Sequence, residues 1–559
     1  MKKSFNPQQE SSGNHETLLL LGNVITMDQN TPTAEAVFVE DGIIKYVGSA
    51  DEARKLCDDQ TIIKDYGTYS IYPGFMESHA HGIGAASRLL QANLSDINAL
   101  DDTTMDDFVQ AMKQYMEENP GLPLYKGSGW TPKDKEPDAA MLDAICPDVP
   151  MLLNTEDGHS MWINTAAMKK FGIDKSTVEK YGTDCVRVDS EGNPTGYLSE
   201  TPAIGLLGQL SMTKEEAKDG LLKWQEKAFS SGITATTEAA LFIVTPHAAE
   251  AYQELCDEGK WKLRTYAVHT ITEDVPDDQV DEALDAILEL HNKYNGEYFK
   301  VTGTKVFMDG VVEAHTGWLD EEYLDQPGYY GLKRCTDVSR IAKIVAFNNK
   351  NGMLVHFHAV GDGASRAVAE GIALAAKETD VRDGRNAVAH LQLVKPDVLR
   401  MFAEYNIIPV VPPLWSPKAP VIYEYTVQFI GEGRAQYQYP IKSFVDAGCK
   451  INFHSDFPVS PAMDAAKNVY TAVLRNRPDL GPDRVCNLSE AITRQQALEA
   501  MTTNVAYSWH EEDRQGSITV GKLANFVVFD TDFLKDDMQQ IWDAQVKATY
   551  VDGKVVYGE

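Results

Sequence analysis

Two histidines separated by one residue, His79 and His81, close the stretch Tyr72-Pro73-Gly74-Phe75-Met76-Glu77-Ser78-His79-Ala80-His81-Gly82. In an extended chain, residues i and i+2 point to the same side, so both imidazoles can reach one point in space. Neutral imidazoles at a strand end suit zinc, iron or manganese, which take nitrogen and oxygen ligands. A pair alone is better explained as structural or surface histidines. Further along, however, Lys305 lies within 301–310, His358 within 354–362, His390 ends 386–390, and Asp456 follows 451–455. Each is a short apolar run that ends in a polar residue and then a loop. A parallel β/α barrel presents its chemistry in this way, at the C-terminal ends of its strands.

The spacing of these residues fits such a barrel. Lys305 and Asp456 are 151 residues apart, about 38 per step if four βα steps lie between them. Gly232–Thr237 and 263–268 read as strands two and three, and Thr234 to Lys305 is 71 residues, about 36 per step. His81 to Thr234 is 153 residues for a single step, which leaves an insertion of about 115 residues after strand one, enough for a small subdomain. Helices punctuate the strands: Thr213 N-caps one that Gly232 stops, and 277–294 and 362–377 behave similarly. At the two ends the pattern changes to short β-rich runs joined by Asp41-Gly42 and Asp552-Gly553, both tight-turn signals. Neither end has enough strands to stand alone. The expected organisation is therefore an α/β (β/α)8 TIM-type barrel over 73–514, a lid or substrate subdomain inserted at about 86–228, a small β-sandwich composed of 17–72 and 515–559, and a mobile tail over 1–16.

The order His-x-His, Lys, His, His, Asp resembles the amidohydrolase superfamily of metal-dependent hydrolases. Gly127-Ser128-Gly129-Trp130, Asp157-Gly158-His159-Ser160, Gly196-Tyr197-Leu198-Ser199-Glu200, 358–362 and Ser455-Asp456-Phe457-Pro458-Val459 look like its branch containing YtcJ-type proteins and N-substituted formamide deformylase. The resemblance covers roughly residues 16 to 557. It implies one or two divalent ions, zinc first among the candidates. His79 and His81 take one metal position, which Asp456 completes or shares. His358 and His390 supply a second position or the remaining ligands of the first. Lys305 matches the lysine that binuclear members carboxylate into a bridging two-oxygen ligand; an ammonium has no lone pair and cannot ligate. The plain alternative is a lysine paired with Asp309 or Glu313. Asp456 is the expected general base, and the ion would lower the pKa of water toward about 7. By the same resemblance His159 contacts the oxyanion and substrate, Trp130 walls the pocket, and His315, where relatives commonly carry arginine, bears on substrate choice. His454 stands where glycine is usual, and Asn525 where aspartate is.

The implied activity is hydrolysis of a non-peptide C–N bond, of the N-substituted amide or formamide type. A deaminase or an ester or cyclic-amide hydrolase using the same site is the first alternative, and a non-catalytic metal-binding or regulatory protein the second. A formal net charge of −32 argues against nucleic acid or an anionic membrane as partner, leaving a small-molecule substrate, with a homodimer allowed by the helical exterior. The seven cysteines are an odd number, scattered and without a Cys-x-x-Cys pair, which fits reduced thiols. The first 16 residues lack the apolar core of a signal peptide. No apolar run approaches the roughly 20 residues that span a bilayer, so the cytoplasm is the expected compartment.

Overall fold

The computed structural model describes residues 16–559 except 99, 101, 156–158, 209–210, 243, 421 and 461–462. The expected tail lies outside the described residues apart from Glu16. The chain divides into two compact units: one runs to His81 and resumes at Gln225–Leu241 and Trp261–Glu559, and the other comprises Gly82–Trp224 and Phe242–Lys260.

The first unit contains an eight-stranded sheet of β1 (Phe75–Ala80), β2 (Ile233–Glu238), β3 (Arg264–Ile271), β4 (Phe299–Phe307), β5 (Leu354–Ala359), β6 (Ala387–His390), β7 (Ile408–Val411) and β8 (Asn452–Phe453). The strands neighbour one another in sequence order and every pair is parallel. Beyond β8 the ring is closed by backbone bonds at the strand ends: Asp456 N–H donates to His79 O (3.1 Å) and His81 N–H to Phe457 O (2.8 Å). This is a TIM-type barrel. All six residues of β1 and of β2 are buried, as expected when both faces of a parallel sheet are covered. Helices Val280–Lys293, Val338–Lys350, Asp362–Thr379 and Pro396–Glu404 form the crossovers from β3 to β7. Asp337 starts one by accepting from Ser339 N–H, and its Ile341, Ala342, Ile344 and Val345 form the buried stripe. The next helix packs closely on it: a Cβ at Gly371 would lie 2.3 Å from the Ile341 side chain, so only glycine permits the approach.

Both chain ends build one further sheet of seven strands, in the order Lys554–Gly558, Val546–Val551, Phe526–Phe529, Ile62–Pro73, Thr17–Ile25, Thr33–Glu40, Ile43–Gly48. It curls on itself, so that Val37 and Ile44 at one end share a core with Ala548 and Tyr550 at the other. Its two Asp-Gly hairpins take positive φ at both turn residues, Asp41 at 51° with Gly42 at 75° and Asp552 at 51° with Gly553 at 74°, the type I′ signature. Arg264 of β3, almost wholly buried, ties this sheet to the barrel: its guanidinium donates to Asp552 (2.6 Å) and Glu297 (3.0 Å).

The second unit has a six-stranded sheet in the order Val186–Val188, Pro194–Ser199, Ser160–Ile163, Met151–Thr155, Tyr125–Trp130, Ala92–Asn93. Phe108, Met112, Trp130, Leu153 and Trp162 fill one of its cores. Among the described residues no helix is long and apolar enough to cross a membrane, and the seven cysteines are all free thiols.

Candidate functional site

The C-terminal ends of β1, β4, β5, β6 and β8 bring six imidazoles, one amine and one carboxylate together. His79 is fully buried. Its Nδ1 lies 2.7 Å from His356 Nε2, and its Nε2 lies 3.2 Å from Asp456 Oδ1. His81 Nε2 approaches the same oxygen at 3.3 Å. Buried Glu77 accepts from the N–H of His79 (3.1 Å) and of Ser455 (3.1 Å), which locks the end of β1 to the loop after β8. Burial pushes the Glu77 carboxyl up to about 7. His390 and Asp456 hold their side chains from left-handed backbone, with φ of 81° and 60°. Such conformations are costly for residues with a Cβ and concentrate at functional sites.

His358 Nδ1 lies 3.1 Å from Asp309 Oδ1. The Asp309 carboxylate is itself fixed by the N–H groups of Gly361 (2.8 Å), Val360 (3.0 Å) and Trp318 (3.0 Å). A histidine that donates its Nδ1 proton to a carboxylate presents the Nε2 lone pair outward, the usual support of a metal-binding imidazole. His356 does the same for His79. If His79 Nδ1 donates to His356, the tautomer that leaves His79 Nε2 free is the one selected. Sequence reasoning gave His356 no role; its alternation with His358 along β5 was the available signal.

Lys305 is fully buried and its Nζ has no hydrogen-bond partner. Neither Asp309 nor Glu313 pairs with it: Asp309 holds His358, and Glu313 accepts from Gln392 (3.0 Å) and Thr426 (2.8 Å). Burial brings the Lys305 ammonium down to about 7, so much of it is neutral amine at neutral pH. Burial also pushes His79, His356 and His390 well below the usual imidazole range and His454 down to about 3. These rings are neutral, the form that ligates. Burial opposes ionisation of Asp456, yet His81, His390 and His454 together hold it below the usual carboxylate range.

Whether these residues fit a metal can be judged from their unsatisfied atoms. His79 Nε2, His390 Nδ1 and Asp456 Oδ1 are buried without a hydrogen-bond partner, as are His81 Nδ1, Lys305 Nζ and both nitrogens of His454. His79 Nε2 and Asp456 Oδ1 are close but not aligned as a hydrogen bond. Buried polar atoms without partners are rare and costly, so a concentration of them in one place marks a site built for an ion. His79, His390 and Asp456 offer ligand atoms within 4.8 Å of one another. The rings of His79, His390 and His454 stand 5.0, 5.0 and 5.2 Å apart, centre to centre. With metal–nitrogen bonds of about 2.1 Å, three imidazoles on one tetrahedral ion would be spaced by about 5 Å. The donor set therefore fits a divalent cation preferring nitrogen and oxygen. His454 belongs to it geometrically, although sequence reading treated it only as a departure from glycine.

A cavity of about 640 Å³ opens beside His390, within the size range of small-molecule sites. Trp415 lines it and lies parallel to the His390 ring at 5.7 Å. Leu414, Ile422, Tyr423 and Val459 add apolar wall, and Glu313 and Gln392 a polar ledge.

Of the three expected substrate contacts, Trp130 and His159 belong to the second unit and His315 to the first. Trp130, expected to wall a pocket, is fully buried in the core of the second unit: it packs edge-on against Trp162 at 5.4 Å and donates its indole N–H to Leu153 O (2.9 Å). A large ring flanked by an apolar sheet face gains more from burial there than at an opening. His315 takes φ 56°, binds Asp325 through Nε2 (2.8 Å) and packs on Phe429 at 3.9 Å. It pegs its own loop, and it does not line the cavity beside His390. His159, in the second unit, is exposed with Nδ1 3.3 Å from Glu200, and is not a member of the buried cluster; Asp157 and Gly158 of its motif lie outside the described residues.

Residues 70–557 match the model described as "Amidohydrolase family". The chain is 27% identical to the "Putative amidohydrolase YtcJ" of Bacillus subtilis (strain 168), covering 96% of this chain and 98% of that one. It is 24% identical to the "N-substituted formamide deformylase" of Arthrobacter pascens, covering 97% and 98%. In structure it matches an uncharacterized metal-dependent hydrolase from Pyrococcus furiosus with a TM-score of 0.72 and 23% identity, covering 93% of this chain and 100% of the other.

Proposed function

The chain belongs to the amidohydrolase family, and from that premise we propose that it hydrolyses a non-peptide C–N bond, of the N-substituted amide or formamide type, in a small molecule. The observation that carries this reading is the set of buried, unpartnered ligand atoms of His79, His390 and Asp456 beside an apolar cavity. His79, His390 and Asp456 would hold a divalent ion, zinc first, with His81, His358 and His454 in reach of the same or a second position. Bound there, the ion supplies Lewis acidity, polarising a carbonyl and acidifying water. Asp456 takes the proton from the attacking water and returns it to the departing nitrogen, a double task suited to a carboxylate held ionised. His356 and Asp309 keep the rings of His79 and His358 in the ligating tautomer. The lone pair of the neutral Lys305 amine can add to carbon dioxide, releasing one proton and forming a carbamate whose two oxygens could serve as ligands. His159 is retained as candidate oxyanion contact on its motif alone. The free thiols support a reducing compartment such as the cytoplasm.

The test is a panel of N-aryl and N-alkyl formamides, amides, aminopurines and esters, assayed with metal-loaded protein. Release of a primary amine with the acid supports the proposal. Release of ammonia or alcohol transfers the site to the deaminase or esterase reading. No turnover of any class, with metal bound, favours a non-catalytic metal-binding protein.

A further inference from the structure

The cavity beside His390 carries one charge that the protein leaves uncompensated. Four acidic or cationic side chains line it: Glu313, Lys467, Arg477 and Asp479. Arg477 and Asp479 neutralise each other, with guanidinium–carboxylate contacts of 2.6 and 3.2 Å. Lys467 is held by Asp464 at 3.2 Å and lies over the Trp542 ring at 5.3 Å. Glu313 differs. Its Oε1 accepts from Gln392 and Thr426, and among the described residues no lysine, arginine or histidine stands within ion-pair distance of it. Gln392 also donates to Gln438 Oε1 (3.2 Å), so the carboxylate is braced by a network rather than free to swing into solvent. Gln392 is two residues beyond His390, so its hydrogen bond ties the Glu313 carboxylate, carried on the loop after β4, to the loop of the metal ligand. Around it the wall is aromatic: Trp415, Tyr423 and Tyr439. A rigid, unpaired carboxylate among aromatic faces is the chemistry that recognises an organic cation, by charge-assisted hydrogen bonding and by attraction of the cation to the rings. The net charge of −32 adds a field that draws cations toward the protein.

We propose that the cavity selects amides whose apolar or aromatic body carries an ammonium group, with Glu313 as its counter-ion; this rests on the hydrolase reading and names the substrate class of the same site. Glu313 is then a specificity residue that contacts substrate but takes no part in bond breaking.

The probes are three size-matched aryl ketones in which a methylene replaces the amide nitrogen, so that no turnover occurs. They carry a para aminomethyl, methyl or carboxylate group. Calorimetric titration of the metal-loaded protein at pH 7 is expected to show the ammonium ketone binding about tenfold or more tightly than the methyl ketone, as for a hydrogen bond to a charged group. The carboxylate should bind weakest, and the ammonium preference should shrink at high salt. Glu313→Gln is expected to bring the ammonium-to-methyl ratio close to one. Equal or tighter binding of the methyl or carboxylate ketone by the wild type overturns the proposal, and so does a preference that survives in folded Glu313→Gln. If the variant does not fold, the wild-type ranking and its salt dependence decide alone. Turnover of the corresponding amides is measured separately. Ammonium preference without hydrolysis retires the hydrolase reading and leaves the cation site standing; hydrolysis without the preference retires the cation site alone.

Discussion

Replacing Lys305 with methionine should stabilise the metal-free protein while removing the amine proposed to become a carbamate. The Lys305 amine is fully buried, has no hydrogen-bond partner and lies over the Phe307 ring at 4.8 Å. Burial lowers its pKa from 10.5 to about 7. Between those values the unfolded chain holds a proton that the folded chain lacks, so stability must rise with pH across that window. The full penalty applies below about pH 7 and vanishes above about 10.5. At about 1.4 kcal/mol per pKa unit, the whole shift corresponds to on the order of 5 kcal/mol, of which about 4 is felt at pH 7 and about 1.5 at pH 9.5. Methionine has a similar length and no charge. Urea midpoints of wild type and Lys305→Met, stripped of metal and purged of carbon dioxide, should differ in favour of the variant at pH 7 and converge toward pH 9.5. Bicarbonate added with metal should stabilise the wild type beyond metal alone and give the variant no such increment. A variant no more stable than the wild type at pH 7, or a gap of equal size at both pH values, would refute the reasoning.

Three other outcomes are expected. Asp456→Asn should lower turnover by on the order of 100-fold to 10,000-fold, as loss of a general base does, while elemental analysis finds the ion retained; unchanged activity sinks the base assignment. His454→Ala should weaken metal binding at least about tenfold and shift the visible spectrum of the cobalt-substituted protein. Equal affinity and an unaltered spectrum would return His454 to a space-filling role. Arg264→Met leaves the partly exposed Asp552 without its cation, while Glu297 keeps Arg514, and should cost about 1–3 kcal/mol, the usual effect of losing hydrogen bonds to a charged group. Unfolding midpoints within error of the wild type would show that those carboxylates find other partners.

Local chemistry was enough to locate much of this protein. His79, His81, Lys305, His390 and Asp456 could be picked out because each ends a short apolar run, and barrel strands end that way whatever surrounds them. The spacing from Thr234 to Asp456 reports a regular βα repeat for the same reason. The Asp41-Gly42 and Asp552-Gly553 turns need only the backbone freedom of those two residues. Other features depended on what packs against what. Strand β7 carries Pro409, which reads against an interior strand because it cannot donate to a ladder; its parallel neighbours on both sides hold it there nonetheless. Trp130 reads as a pocket wall until Trp162 and Phe108 are seen around it. The pairing of Asp309 with His358 rather than Lys305, and of His356 with His79, joins strands whose relative register no local pattern encodes. The unpaired charge of Glu313 is likewise invisible in sequence. A residue type states what a side chain can do, but burial and the absence of a partner are properties of its neighbours, and only the folded chain supplies them.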